Sequence, residues 1–104
     1  MIIQINTDRN ITGSEKLTAY FNSTISEALT RYSENISRLE VHLSDENSHK
    51  EGLDDKRCML EARVEGMKPI AVTNQAGSTE QALSGALDKL EASLHTIFGK
   101  LKTY

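Results

Sequence analysis

Residues 38–65, RLEVHLSDENSHKEGLDDKRCMLEARVE, decide the fold. Leu39, Val41 and Leu43 alternate with Arg38, Glu40, His42 and Ser44. Cys58, Leu60, Ala62 and Val64 alternate with Met59, Glu61, Arg63 and Glu65. A period of two sends successive side chains to opposite faces, so each run predicts a strand with one buried and one wetted face. Between them, residues 45–57 hold five acids, three bases and almost nothing apolar, which reads as a solvated loop.

Upstream, Ile2, Ile3 and Ile5 supply the β-branched carbons of a short strand over residues 1–6. A polar turn follows from Asn6 to Gly13. Thr12 with Glu15 fits a capping box, and Leu17, Phe21, Ile25, Ala28, Leu29 and Tyr32 recur at steps of three and four. That spacing predicts an amphipathic helix to about Ser33. Downstream, Gly66 to Pro69 reads as a turn and Ile70 to Thr73 as a last strand, with Pro69 confined to its first position or an edge. Ser78 with Gln81 offers a second capping box. Leu83, Leu87, Leu90, Leu94, Ile97, Phe98 and Leu101 then carry a helical stripe to the C-terminus. The order is β-α-β-β-β-α. Both apolar stripes and the apolar sheet face are buried together if the two helices lie on one side of a four-stranded mixed sheet. The first helix then makes a right-handed crossover between parallel strands one and two. The fold class is α+β, one domain over residues 1–104.

Composition narrows the function. Hydrophobic residues make up 38% of the chain and charged residues 26%, as in ordinary globular domains. With no Trp, three Tyr and two Phe, the core must be aliphatic. Twelve Lys+Arg against 15 Asp+Glu give a net charge of −3, which argues against a generic DNA coat or a polybasic membrane anchor. The stretch MIIQINTDRN lacks the basic start and long apolar run of a secretory signal or membrane span. The lone Cys58 has no disulfide partner. A soluble cytoplasmic chain is expected, and the N-x-S/T triplets at Asn10, Asn22 and Asn35 are read as chance.

Catalytic signals are weak. His42 falls on the wetted sheet face, His49 in the charged loop and His95 on the last helix, with nothing in the sequence to unite them. Cys58 takes an inward strand position, where a free thiol packs as a small hydrophobe. The acid-rich loop lacks the alternating acids, central Gly and terminal Glu of an EF-hand. No phosphate-binding glycine loop, nucleophile elbow or paired-carboxylate signature is present. The expectation is no enzyme, no metal and no cofactor. Nucleic-acid contact depends on local charge. Residues 14–35 sum to −1, 45–57 to −2 and 78–104 to zero. At 100° per residue, Lys89 and Lys100 nevertheless fall within about 20° of each other on the last helix, with Thr96 between them.

Four stretches together resemble a known family: Ile11-Thr12 at the first helix, Leu29-x-x-Tyr32-x-x-x-Ile36 leading into strand two, Ala62-x-Val64-Glu65-Gly66 ending strand three, and Ala86-Leu87-Asp88-Lys89-Leu90-Glu91-x-x-Leu94 in the last helix. In this order and spacing the chain resembles the ribosome hibernation promoting factors, also called ribosome-associated translation inhibitors or protein Y, over about residues 2–101. The resemblance implies a stress-response protein that binds the small ribosomal subunit in its decoding channel. There it would contact rRNA phosphates and exclude mRNA and tRNA, without cofactor or catalysis. Ending at Tyr104, the chain is similar to the short class. Ala92 and Thr96 stand where the family carries basic residues, leaving Lys89, Lys100 and Lys102 as the expected phosphate contacts, with Arg31 and Arg38 beside them. The second reading is a protein-interaction module that kept this fold and lost rRNA. It could be a homodimer joined through the open sheet face or an edge strand. Neither DNA nor a membrane is expected as a partner.

Overall fold

The computed structural model describes residues 1–8, 11, 14–45 and 56–101, the last two by backbone alone. Its elements are β1 (Ile2–Thr7), α1 (Glu15–Ala28), a single 3-10 turn (Thr30–Tyr32), β2 (Ile36–Asp45), β3 (Lys56–Val64), β4 (Ile70–Ala76) and α2 (Thr79–Leu101). The sheet order is β1-β2-β3-β4, with β1 parallel to β2 and the other two pairings antiparallel. The β-α-β-β-β-α order and the mixed four-stranded sheet are as the alternation and stripes require.

The two periodicities meet in one core. Leu39, Val41 and Leu43 of β2 and Cys58, Leu60, Ala62 and Val64 of β3 are buried against Phe21 and Ile25 of α1 and Leu83, Leu87, Leu90 and Leu94 of α2. Both helices therefore cover the same sheet face. Arg38↔Arg63, Glu40↔Glu61, His42↔Met59 and Ser44↔Arg57 face each other across β2 and β3 on the other side. No polar or charged residue is buried among the described residues.

Helix boundaries follow local hydrogen bonding. Ser14 caps α1, its hydroxyl accepting the Leu17 amide at 3.1 Å. The expected cap, Thr12, lies outside the described residues, and the first turn is satisfied without it. The helix ends at Ala28 rather than near Ser33. There the Thr30 hydroxyl donates to the Ser26 and Glu27 carbonyls at 2.7 and 3.1 Å, and the chain tightens into the 3-10 turn. The tighter turn brings Tyr32 in to stack on Phe98, with ring centroids 5.6 Å apart. Ser78 caps α2 as expected, accepting the Gln81 amide at 3.2 Å.

Two strands are longer than their alternation shows. Ile36 is buried although it stands three residues from Leu39, which a regular strand cannot allow. A register shift between Ile36 and Arg38 resolves the conflict: the extra residue, Ser37, bulges out and donates to the Arg63 carbonyl at 3.2 Å. Ile36 thus points inward while Arg38 points to solvent. At the other end, Asp45 and Lys56 belong to the strands, not to the loop, and form an ion pair at 3.3 Å. Residues 46–55 lie outside the described residues.

Strand β4 runs on to Ala76 because Asn74 has a partner on the helix side. Its amide donates to the Gln81 and Ala82 carbonyls, each at 3.4 Å, in the first turns of α2. The close approach requires Gly85, since a Cβ there would overlap the Asn74 amide. Gly66, with φ of 76°, turns β3 toward β4 in the left-handed conformation that glycine tolerates.

Candidate nucleic-acid interface

Of the five cations singled out in the sequence, Arg38, Arg31 and Lys89 have described side chains, and each stands in a different place. Arg38 stands on the open sheet face, aimed there by the Ser37 bulge. Arg31 lies in the 3-10 turn beside the two helices. Lys89 projects from α2 toward β4 and donates to the Thr73 carbonyl at 2.6 Å. The Lys100 backbone continues α2, its side chain falling outside the described set, as does Lys102 altogether. An ammonium has three donors, so the Thr73 contact leaves Lys89 two for a phosphate.

Arg38 gains a neighbour that sequence alone does not supply. Register places Arg63 directly opposite it. Two guanidinium groups so close would repel, and Glu40 lies between them: its carboxylate is 3.7 Å from Arg38 and 3.6 Å from Arg63, with His42 at 3.8 Å. Glu61 adds a contact to Arg63 at 3.9 Å. The Arg38 and Arg63 side chains stay 36% and 56% exposed, so these pairs are loose and solvent-screened. A phosphate can therefore compete for both guanidinium groups. Within β2 and β3, Arg38, Arg57 and Arg63 outnumber Glu40 and Glu61 on this face.

The helical side is different. A groove of about 710 Å³ runs between the end of α1, the 3-10 turn and α2, lined by Glu27, Arg31, Tyr32, Asp88, Glu91 and His95 among others. Three carboxylates surround Arg31, so this groove repels a polyanion even though it holds one of the expected contacts.

Among the described residues, the thiol and the histidines are not brought together. Cys58 is fully buried, and burial pushes its thiol from 9.0 up to about 12, far from thiolate reactivity at neutral pH. His42 lies on the open sheet face and His95 in the inter-helix groove, on opposite sides of the molecule; His49 falls outside the described residues. Among the described residues, no group of three His, Cys, Asp or Glu side chains could hold a metal, and no helix is long and apolar enough to cross a membrane.

Comparison with known proteins agrees with this architecture. The Thermus thermophilus Protein Y N-terminal domain superimposes with a TM-score of 0.73 at 20% identity, covering 93% of this chain and 99% of that one. A ribosomal subunit interface protein from Coxiella burnetii gives 0.71 at 16% identity, covering 95% and 99%. At these identities the likeness is one of fold. No curated protein matches by sequence. The family model described as Sigma 54 modulation protein / S30EA ribosomal protein matches residues 3–102. With nearly every residue inside that match, and with the strand order and one-sided helices in place, the chain belongs to the Sigma 54 modulation protein / S30EA ribosomal protein family.

Proposed function

We propose that this protein is a cytoplasmic translation inhibitor that occupies the decoding channel of the small ribosomal subunit and excludes mRNA and tRNA. Its work is occupancy, so no cofactor and no catalytic step enter. The observation that carries the reading, given the family, is the side-by-side pair Arg38 and Arg63 on an open sheet face. Two guanidinium groups on neighbouring strands each offer a forked pair of donors to a backbone phosphate. Lys89, Lys100 and Lys102 on and beyond α2 supply the remaining phosphate contacts, while Arg31, in a groove lined by Glu27, Asp88 and Glu91, is the weakest of the expected set. The coat of carboxylates elsewhere, including Glu27, Asp88 and Glu91, limits the protein to sites where its cationic surfaces fit.

The inter-helix groove favours the second reading, a module that binds protein instead of rRNA, and one experiment separates the two. Purified small subunits carrying mRNA and labelled tRNA are titrated with the protein. Occupancy of the channel releases the tRNA in proportion to bound protein. Retention of tRNA at saturating protein excludes the decoding-channel assignment.

A further inference from the structure

We infer that a second copy of this chain docks on β1, the two strands pairing antiparallel about a two-fold axis and joining both sheets into one. This edge adjoins the face of the proposed ribosome contacts, since Ile2 is the register partner of Arg38, but the docking groups are the outward backbone groups of β1 and not the guanidinium groups.

β1 forms one edge of the sheet. The Asp8 amide donates to the Leu43 carbonyl at 3.1 Å, which fixes which residues of the strand face β2. Backbone groups alternate sides along a strand, so Gln4 and Asn6 also turn toward β2, while Ile3, Ile5 and Thr7 present N–H and C=O groups outward. Among the described residues, none hydrogen-bonds to these outward groups. In a chain with 26% charged residues, Ile2–Thr7 contains no charge and no proline, the two common protections of an edge.

At the opposite edge, β4 (Ile70–Ala76) likewise contains neither charge nor proline, but its edge is covered from outside the strand: Pro69 immediately precedes it, and Lys89 of α2 lays its ammonium on the Thr73 carbonyl. Beside β1, by contrast, a groove of about 560 Å³ opens against α1, with Ile5, Leu17 and Ala19 in its wall and Glu15 its only charged lining residue. Ile3, Ile5 and Leu17 are only partly covered, and Ile2 is 61% exposed.

Neutrality argues for a second copy as the occupant. Around a two-fold axis every residue approaches its own duplicate, so a charged strand would meet like charge. Here core-facing Ile5 meets Ile5 or Ile3, and the paired apolar strip lengthens the core. One open edge and one protected edge also make the contact isologous and closed, a dimer and not a filament.

Sedimentation velocity over a concentration series tests this on the full chain. The expected result is a reversible dimer. Ile2→Lys with Thr7→Lys, both at exposed positions, should raise its dissociation constant at least about tenfold with unchanged helicity. If the double variant loses helicity, Thr7→Lys alone serves as the probe. A wild-type protein that stays monomeric at every concentration overturns the inference. So does a dimer indifferent to the added lysines, which would place the contact elsewhere.

Discussion

Removing both guanidinium groups from the open sheet face, Arg38→Gln with Arg63→Gln, is expected to weaken binding to small ribosomal subunits by roughly 30- to 150-fold. Each forked contact to a phosphate is worth about 1–1.5 kcal/mol in a partly hydrated interface, and two are lost together. Because each contact displaces a condensed counterion, the variant should also show a shallower dependence on salt, by about two in the log–log slope. Stability should move by less than about 1 kcal/mol, since the broken ion pairs to Glu40 and Glu61 are partly exposed and longer than 3.5 Å. Thermal unfolding of the variant beside its binding curve separates the two effects. Unchanged affinity would remove the sheet face from the interface and leave Lys89, Lys100, Lys102 and Arg31 to carry it.

Leu90→Ala should have the largest effect on the fold. Leu90 is fully buried near the centre of α2, on the stripe that packs on β3 and β4. Its neighbours Ala86 and Leu94 on the same stripe are fully buried as well and fixed to the helix backbone, so collapse around the gap is limited. The expected cost is about 2–5 kcal/mol, a large share of the roughly 5–15 kcal/mol that holds a domain of this size. Denaturant unfolding should show a lower midpoint with an unchanged slope. Leu90→Met, which keeps volume, should cost less than about 1.5 kcal/mol. If alanine and methionine behave alike, the packing described around Leu90 is wrong.

Much of this architecture is legible in residue order. Leu39, Val41 and Leu43, with Cys58, Leu60, Ala62 and Val64, reveal both central strands because one face is wet. Seven apolar residues from Leu83 to Leu101 announce α2. What escapes a reading by period is each place where the period breaks for a local hydrogen bond. Ile36 is masked by the Ser37 bulge. The end of α1 is moved by the Thr30 hydroxyl. Asn74, a polar residue on the helix side, hides the second half of β4 because its amide is satisfied only once α2 packs there.

The site was less legible than the fold. Arg38 could be named from sequence, but its pairing with Arg63 depends on strand register, which the intervening loop obscures. Sums of charge along the chain likewise give no sign that Glu27 and Arg31, near the end of α1, line one groove with Asp88 and Glu91 of α2. By its alternation with Glu61 and Glu65 the sequence places Arg63 only on the wetted face; its position opposite Arg38 follows from strand register.

The most direct test of the whole account is co-sedimentation of the protein with purified small ribosomal subunits as ionic strength is raised. The account predicts saturable binding at low salt and a logarithm of affinity that falls linearly with the logarithm of salt, with a slope corresponding to about three to five phosphate contacts. Absence of binding at low salt, or binding that salt leaves unchanged, would contradict it.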